Sequence, residues 1–326
     1  MGKKILKMKP IKPLETPVLI VAFNRPDKVE KVLNCVRQVQ PKQLFFSVDG
    51  ARKHKPNEAQ KVKAVQEVIK QVDWECEVKT LFRSENLGCR LGVSGGIDWF
   101  FEQVECGIIL EDDCVPDVSF FYFCEELLER YKEEERIMQI AGSNLIPEKF
   151  QHLNSSYCFS NFGIIWGWAT WRRAWQKRDV HLQDFPQFVS ENMIERLVSD
   201  KTAQNYMVDK FRDTYLKLND SWAYAWFCNI LYHDGLSILP TSNLIQNIGI
   251  DAEATHTKGM ISDRYQKAAS GTSFPLKHPT TIKKVDNKLA MEIFYVNYKP
   301  KHLLFINKII PLKWLKIVRQ WRAKWS

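Results

Sequence analysis

The first third of the chain is a series of apolar segments, each stopped by polar residues and then followed by apolar positions at helical spacing. Residues 17–23 (PVLIVAF) are continuously apolar, which predicts a strand covered on both faces. Asn24, Arg25, Pro26 and Asp27 end it. Pro26 suits a first helical turn, and Val29, Val32, Leu33 and Val36 supply the apolar stripe of that helix. Residues 44–48 predict a second strand stopped by Asp49 and Gly50, residues 59–72 a helix, residues 77–82 a third strand and residues 107–110 a fourth. Before the fourth strand, Gly88, Gly92, Gly95 and Gly96 predict a glycine-rich turn leading into a helix through Trp99 and Phe100. This alternation predicts an α/β fold with a mostly parallel sheet and right-handed crossovers.

Further along, Phe120, Cys124, Leu127, Leu128 and Tyr131 form one stripe of an amphipathic helix after Asp117. Residues 138–141, 157–159 and 236–239 read as strands, residues 180–230 as helical and residues 251–280 as polar loop. No internal repeat is visible.

Ligands of parallel sheets bind beyond the carboxyl ends of the strands. Arg25, Asp49, Arg83 and the triplet Glu111, Asp112 and Asp113 all fall at such ends, so four segments deliver polar groups to one crevice. Three crowded carboxylates are costly without a positive partner. The usual partner is a divalent cation with oxygen ligands, which can in turn hold a diphosphate. The plainer alternative is an acidic loop that caps the next helix.

Other constellations carry two readings each. The glycine-rich segment lacks both the Walker Lys-Ser/Thr and the G-x-G-x-x-G spacing. It serves either close helix–sheet packing or anion binding by amides, with Arg90 in reach of a phosphate. Trp166, Trp168, Trp171 and Trp175 lie near glycines; they are either core or a stacking platform for an acceptor sugar. His256, in a polar segment, is a surface residue or a ligand.

Length and composition narrow the class. The 326 residues fit one large α/β domain with additions. The eight cysteines are scattered without a C-x-x-C pair, which disfavours structural zinc and a disulfide framework and points to a reducing compartment. The net charge of +9 is uneven: no acid follows Glu292, and residues 299–326 hold eight lysines and arginines. The body is therefore near neutral, which argues against nucleic acid as a partner. Within the tail, Trp314, Val318, Trp321 and Trp325 form a stripe ringed by basic residues. That composition suits an interfacial helix on an anionic membrane surface, the alternative being a packed terminal helix. No apolar stretch is long enough to span a membrane, and the N-terminus lacks a signal-peptide core. The expected location is cytoplasmic, peripheral on the inner membrane.

As a set, PVLIVAFNRPDK, FFSVDGAR, SENLGCRLGVSGGIDWFFE, GIILEDDCVPDVSFF, IIWGWATWRRAW and SILPTSNLIQNIGIDAEATHT resemble nucleotide-diphosphosugar glycosyltransferases of the GT-A fold. More narrowly, they resemble bacterial hemolysin-like sugar transferases related to the Golgi N-acetylglucosaminyltransferase. The resemblance covers residues 15–260. It implies a Rossmann-like GT-A domain with a nucleotide-binding half (15–117) and an acceptor half (118–260); composition adds an irregular connection (261–298) and the membrane-associating tail (299–326). The implied activity is metal-dependent transfer of a sugar from a nucleotide-diphosphate donor, with UDP favoured. The implied acceptor is a glycan or lipid-linked glycan hydroxyl in bacterial surface polysaccharide or glycolipid synthesis, with inversion favoured.

The resemblance also implies roles. Arg25 and Asp49 hold the nucleotide, with Asp49 at the uracil or ribose; Arg83 and Arg90 are assigned to the same site from their place at a strand end and in the glycine-rich segment. Asp113 is a direct Mn2+ (or Mg2+) ligand, Glu111 and His256 belong to the same metal site, and Asp112 faces the donor ribose or sugar. From the sugar-platform reading of the Trp cluster, Trp166, Trp168 and Trp171 are expected to line the acceptor site. Relatives often carry Trp-Asp, with that Asp as the inverting base. Here Trp222 precedes Ala223, so the expected base shifts to Asp220. Two competing readings are a nucleotidyltransferase and a non-catalytic carbohydrate-binding or membrane-associated protein using the Trp cluster. The first would need a lysine- and glycine-rich N-terminal phosphate loop, which VAFNRPDK is not.

Overall fold

A computed structural model describes residues 12–249 and 267–298. The first half of the chain forms β1 (Val18–Ala22), α1 (Pro26–Val39), β2 (Gln43–Val48), α2 (Glu58–Val68), β3 (Glu77–Phe82), α3 (Gly88–Phe101) and β4 (Cys106–Glu111). Next come β5 (Cys114–Pro116), α4 (Val118–Arg130), β6 (Ile137–Ala141), β7 (Tyr157–Ser160), β8 (Trp168–Trp171) and α5 (Arg172–Trp175). The remainder contains α6 (Phe185–Ser190), α7 (Met193–Leu197), α8 (Lys201–Tyr215), α9 (Trp222–Tyr232), β9 (Leu236–Pro240), β10 (Ile245–Asn247) and α10 (Asn287–Asn297). The helical stretch expected over residues 180–230 is thus split into separate helices. Left-handed residues Asn192 (φ 52°) and Lys217 (φ 57°) stand at two of the breaks. The stretch expected to be irregular, 261–298, contains α10.

Eight strands form one sheet in the order β3-β2-β1-β4-β8-β6-β9-β7. The β3-β2-β1-β4 run is parallel throughout. Antiparallel pairing enters where β8 inserts between β4 and β6, and again where β7 edges β9. The protein is therefore mixed α/β with a central sheet flanked by helices, consistent with the Rossmann-like GT-A arrangement expected. The antiparallel β8 was not anticipated.

Burial on both faces explains why residues 17–23 are continuously apolar. Val18, Ile20 and Ala22 of β1 join the core beneath α1, α2 and α4. Leu19 and Val21 point the other way, into a core shared with α3 and α9. A separate core gathers Phe188, Phe211, Phe227, Leu289 and Phe294 from α6, α8, α9 and α10.

The tryptophans close the α3–α9 face. Trp168 and Trp222 stack with ring centroids 5.7 Å apart, and Trp175 and Trp226 lie 5.1 Å apart. Trp168 is completely buried. Trp171, 4% exposed, donates its Nε1–H to the Leu128 carbonyl at 3.0 Å. Neither ring presents a face on which a sugar can stack, which corrects their expected acceptor role. Trp166 is half-buried.

The strand order positions the site. Through α1 and α2 the chain moves outward from β1 to β2 to β3; α3 then carries it back across to β4, on the other side of β1. The order reverses between β1 and β4, and a crevice opens at the carboxyl ends of such a pair.

Replacing Trp168 with Ala should cost about 3–5 kcal/mol of stability, as for other large-to-small changes at buried aromatics. A urea-unfolding midpoint lowered to that extent is the expected reading.

Candidate active site

Arg25 stands at the turn between β1 and α1. Its carbonyl accepts the Val29 amide at 3.1 Å, which fixes the backbone there. The side chain reaches across to the tip of β4. Its Nε donates to Asp112 Oδ2 at 3.2 Å, and its Nη2 donates both to Asp112 Oδ1 and to Asp113 Oδ2, the latter at 2.9 Å. The planar guanidinium forks onto one carboxylate and bridges to the next. Asp112 is 4% exposed, so the pair is well shielded. The positive partner demanded by the triplet is supplied first by the protein itself. The Nη1 of Arg25 has no hydrogen-bond partner among the described residues.

Asp113 is held from the other side by a short ribbon. Antiparallel pairing of β5 with β10 lays residues 245–249 beside it, and its carbonyl accepts the Ile248 amide at 2.8 Å. A Cβ at Gly249 would fall 1.9 Å from Asp113 Oδ2, so no side chain fits there. Neither strand of this ribbon was expected; each is too short to show a period. Gly249 is the last described residue before the segment containing His256. His256 and the tail 299–326 lie outside the described residues.

Glu111, half-buried at the end of β4, accepts no hydrogen bond from a described residue. Burial raises its pKa, the charges of Asp113 and Asp112 raise it further, and Arg25 offsets only part of this. Burial also raises Asp112, while Arg25 pulls it back.

Asp49 ends β2 and ties down the approach to α3. Both of its oxygens accept the Leu87 amide, at 3.1 and 3.0 Å, and Asn86 Nδ2 donates to Oδ2 at 3.0 Å. Burial raises its pKa, with the amides of Leu87 and Gly50 opposing. The glycine-rich stretch lies inside α3 instead of forming a turn. A Cβ at Gly92, Gly95 or Gly96 would come within 3.0 Å of Asp49 Oδ2, 2.8 Å of Arg83 Nη2 or 2.6 Å of Ser47 Oγ, respectively. Glycine there lets α3 lie directly on the ends of β2 and β3. Arg83 is oriented by Ser47, with Nη1 donating to Oγ at 3.3 Å.

Asp220 comes from the loop between α8 and α9 and caps α3. Its Oδ2 accepts the Cys89 amide at 2.7 Å and its Oδ1 the Arg90 amide at 3.3 Å. Two amides considered for an anionic ligand are thus taken by a carboxylate of the chain. Arg90 departs from its expected phosphate-binding role. It is 8% exposed, and its Nη1 donates to the Thr214 carbonyl at 3.1 Å, fastening α3 to the end of α8. Burial lifts the Cys89 thiol to about 12, and the charges of Glu111, Asp220 and Asp49 add to the rise. Those three carboxylates, delivered by three separate segments, therefore act on one wall of the crevice.

One supporting residue had no signal in the sequence. Glu58 is 5% exposed and accepts from Asn24 Nδ2 at 3.0 Å, the Arg52 amide at 2.8 Å and Arg52 Nε at 3.0 Å. It pins the loop after β2 beside the end of β1.

Among the described residues, no group of three or more His, Cys, Asp or Glu side chains gathers as a metal shell. Asp112 is turned to Arg25 instead. Glu111 and Asp113 remain as adjacent carboxylates, hard oxygen donors of the kind Mn2+ or Mg2+ takes. With Glu111 unclaimed by a hydrogen-bond donor among the described residues, this donor set fits a divalent ion.

No protein-family profile and no curated protein matches the sequence. Among solved structures, the weak likenesses include those to three proteins. HddC from Yersinia pseudotuberculosis aligns with a TM-score of 0.27 and 11% identity over 39% of this chain and 58% of that one. UDP-glucose pyrophosphorylase in complex with UDP-glucose gives 0.30 and 10% over 50% and 78%. Mouse xyloside xylosyltransferase 1 in its apo form gives 0.32 and 11% over 67% and 81%. The chain thus spans under two thirds of HddC. Likenesses at this level assign neither a family nor an activity.

The acid cluster should be legible in pH-dependent stability. Glu111 holds its proton more tightly folded than unfolded. Its contribution to stability is complete below the unfolded carboxylate range and is lost as pH rises through its higher folded value. In a chelator-containing buffer, Glu111→Gln should melt higher than wild type at pH 8, and the gap should shrink towards pH 4.5. Parallel melting curves of the two proteins across this range would contradict the assignment.

Proposed function

We propose that this chain is a metal-dependent glycosyltransferase that moves a sugar from a nucleotide-diphosphate donor, UDP favoured, to a glycan hydroxyl. The carrying observation is the meeting of Arg25 with Asp112 and Asp113 at the β1–β4 reversal, flanked by Asp49 and Arg83. Paired anion-binding and cation-binding groups in one crevice suit a diphosphate with its counter-ion.

Glu111 and Asp113 would hold the divalent ion, with His256 proposed as a further ligand. When bound, such an ion neutralises charge on the leaving diphosphate. Arg25, through its Nη1, which has no partner among the described residues, and Arg83 bind the diphosphate oxygens. Asp49 orients the nucleoside. Asp112 serves by holding the Arg25 guanidinium and not by direct contact with the donor ribose or sugar.

Asp220 accepts the acceptor hydroxyl's proton as that oxygen attacks the anomeric carbon opposite the departing diphosphate, which inverts the configuration. Each carboxylate oxygen has two lone pairs, so capping α3 leaves Asp220 with acceptor capacity. Trp166, half-buried, contacts the acceptor. The acceptor is a glycan or lipid-linked glycan, and the basic tail would bring the enzyme to an anionic membrane surface. No helix among the described residues is long and apolar enough to cross a membrane. A binding module built on the Trp cluster alone loses support from the burial of Trp168 and Trp171.

A thermal-shift series with UDP-, GDP- and CMP-sugars, with and without Mn2+, separates the readings. A UDP-sugar with Mn2+ should stabilise the protein, by about 2.7 kcal/mol at a hundredfold excess over Kd. Asp113→Ala should erase the metal-dependent part. Absence of metal-dependent stabilisation by any nucleotide sugar would overturn the proposal. In turnover assays Asp220→Asn should keep donor binding and lose about 10²- to 10⁴-fold in kcat, the usual span for a general base; retained kcat would remove Asp220 from that role.

A further inference from the structure

We infer that Arg25 is a resident counter-cation that occupies Asp113 in the metal-free protein and is displaced from it when a divalent ion binds. The inference deepens the functional reading above and rests on its assignment of Asp113 as a metal ligand.

The two carboxylates that Arg25 holds are not equivalent. Asp112 has a side chain 5% exposed and receives two guanidinium nitrogens. Asp113 has a side chain 17% exposed and receives one. Breaking the Asp112 fork would strand a buried charge without its partner, a strongly unfavourable change. Giving up the single bond to Asp113 leaves a carboxylate open to other partners.

The Asp113 bond is therefore the exchangeable one. A divalent ion on Asp113 and a guanidinium on the same oxygen would also repel each other at contact distance. The β5–β10 ribbon holds Asp113 in place: its carbonyl accepts the Ile248 amide at 2.8 Å, Asn247 Nδ2 donates to its Oδ1 at 3.4 Å, and Gly249 lies close against Oδ2.

Once released from Asp113, one N–H of Nη2 joins those of Nη1, which has no partner among the described residues, while the Asp112 fork, through Nε and the other N–H of Nη2, keeps the guanidinium in place. One residue then neutralises the acids in the empty site and offers two nitrogens to a diphosphate in the loaded one. Metal entry and anion binding become coupled through Arg25, with positive cooperativity between them.

The test is calorimetric titration of MnCl2 into the full chain as wild type, Arg25→Lys and Arg25→Gln, with Asp113→Asn as the site control and far-UV circular dichroism to confirm folding. Lysine keeps a charge beside Asp112 but lacks the fork that bridges two carboxylates, so this variant guards against loss of fold in the glutamine one. Both variants should bind Mn2+ about tenfold more tightly than wild type, equivalent to about 1.4 kcal/mol. UDP titrated in the presence of Mn2+ should bind Arg25→Gln more weakly than wild type. This opposite movement is one that a merely structural Arg25 would not produce. Unchanged or weaker Mn2+ binding by both folded variants, with wild-type binding lost in Asp113→Asn, would overturn the counter-cation role and leave the metal assignment standing. No Mn2+ binding by wild type or either variant would overturn both.

Discussion

The ion pair between Arg25 and the tip of β4 is the constraint on which the arrangement depends. Parallel pairing sets Val21 opposite Glu111, so the residues that follow each strand leave the sheet side by side. Arg25, held by the first turn of α1, is then placed to reach Asp112 and Asp113. Removing its charge would leave a buried carboxylate unpaired, a change that typically costs about 3–5 kcal/mol. The same pair gathers opposite charges at the point where the strand order reverses. Fold and chemistry are joined at one residue.

The parallel half of the sheet was readable in the sequence because its physical cause is local. A strand covered on both faces must be apolar throughout, and the polar residues that stop it lie at the ligand-binding end. Arg25, Asp49, Arg83 and the acidic triplet could therefore be placed at the carboxyl ends of the strands from position alone. The antiparallel half was not readable. Residues 168–171 (WATW) look the same whether their indoles are core or sugar platform. The deciding partners, Trp222 and Trp226, come from α9, far along the chain. The β5–β10 ribbon escaped because each strand has three residues.

The glycine-rich stretch shows a similar limit. Its glycines announced a close approach, but only the folded chain identifies Asp49, Arg83 and Ser47 as the groups approached. Asp220 and Arg90 exchange contacts across the join between the segment after β3 and the α8–α9 loop. That join ties the expected acceptor side to the nucleotide side. A base on such a loop would sit on a rigid helix terminus, which favours a fixed geometry for proton transfer. Arg90, expected to reach a phosphate, is instead buried with its Nη1 on a backbone carbonyl.

The most direct measurement is anomalous diffraction at the manganese edge from crystals grown with MnCl2 and UDP. The account predicts a peak in coordination distance of an Asp113 carboxylate oxygen, with diphosphate oxygens between it and Arg25. A peak elsewhere, or UDP bound away from the β1–β4 reversal with Asp113 still paired to Arg25, would contradict it.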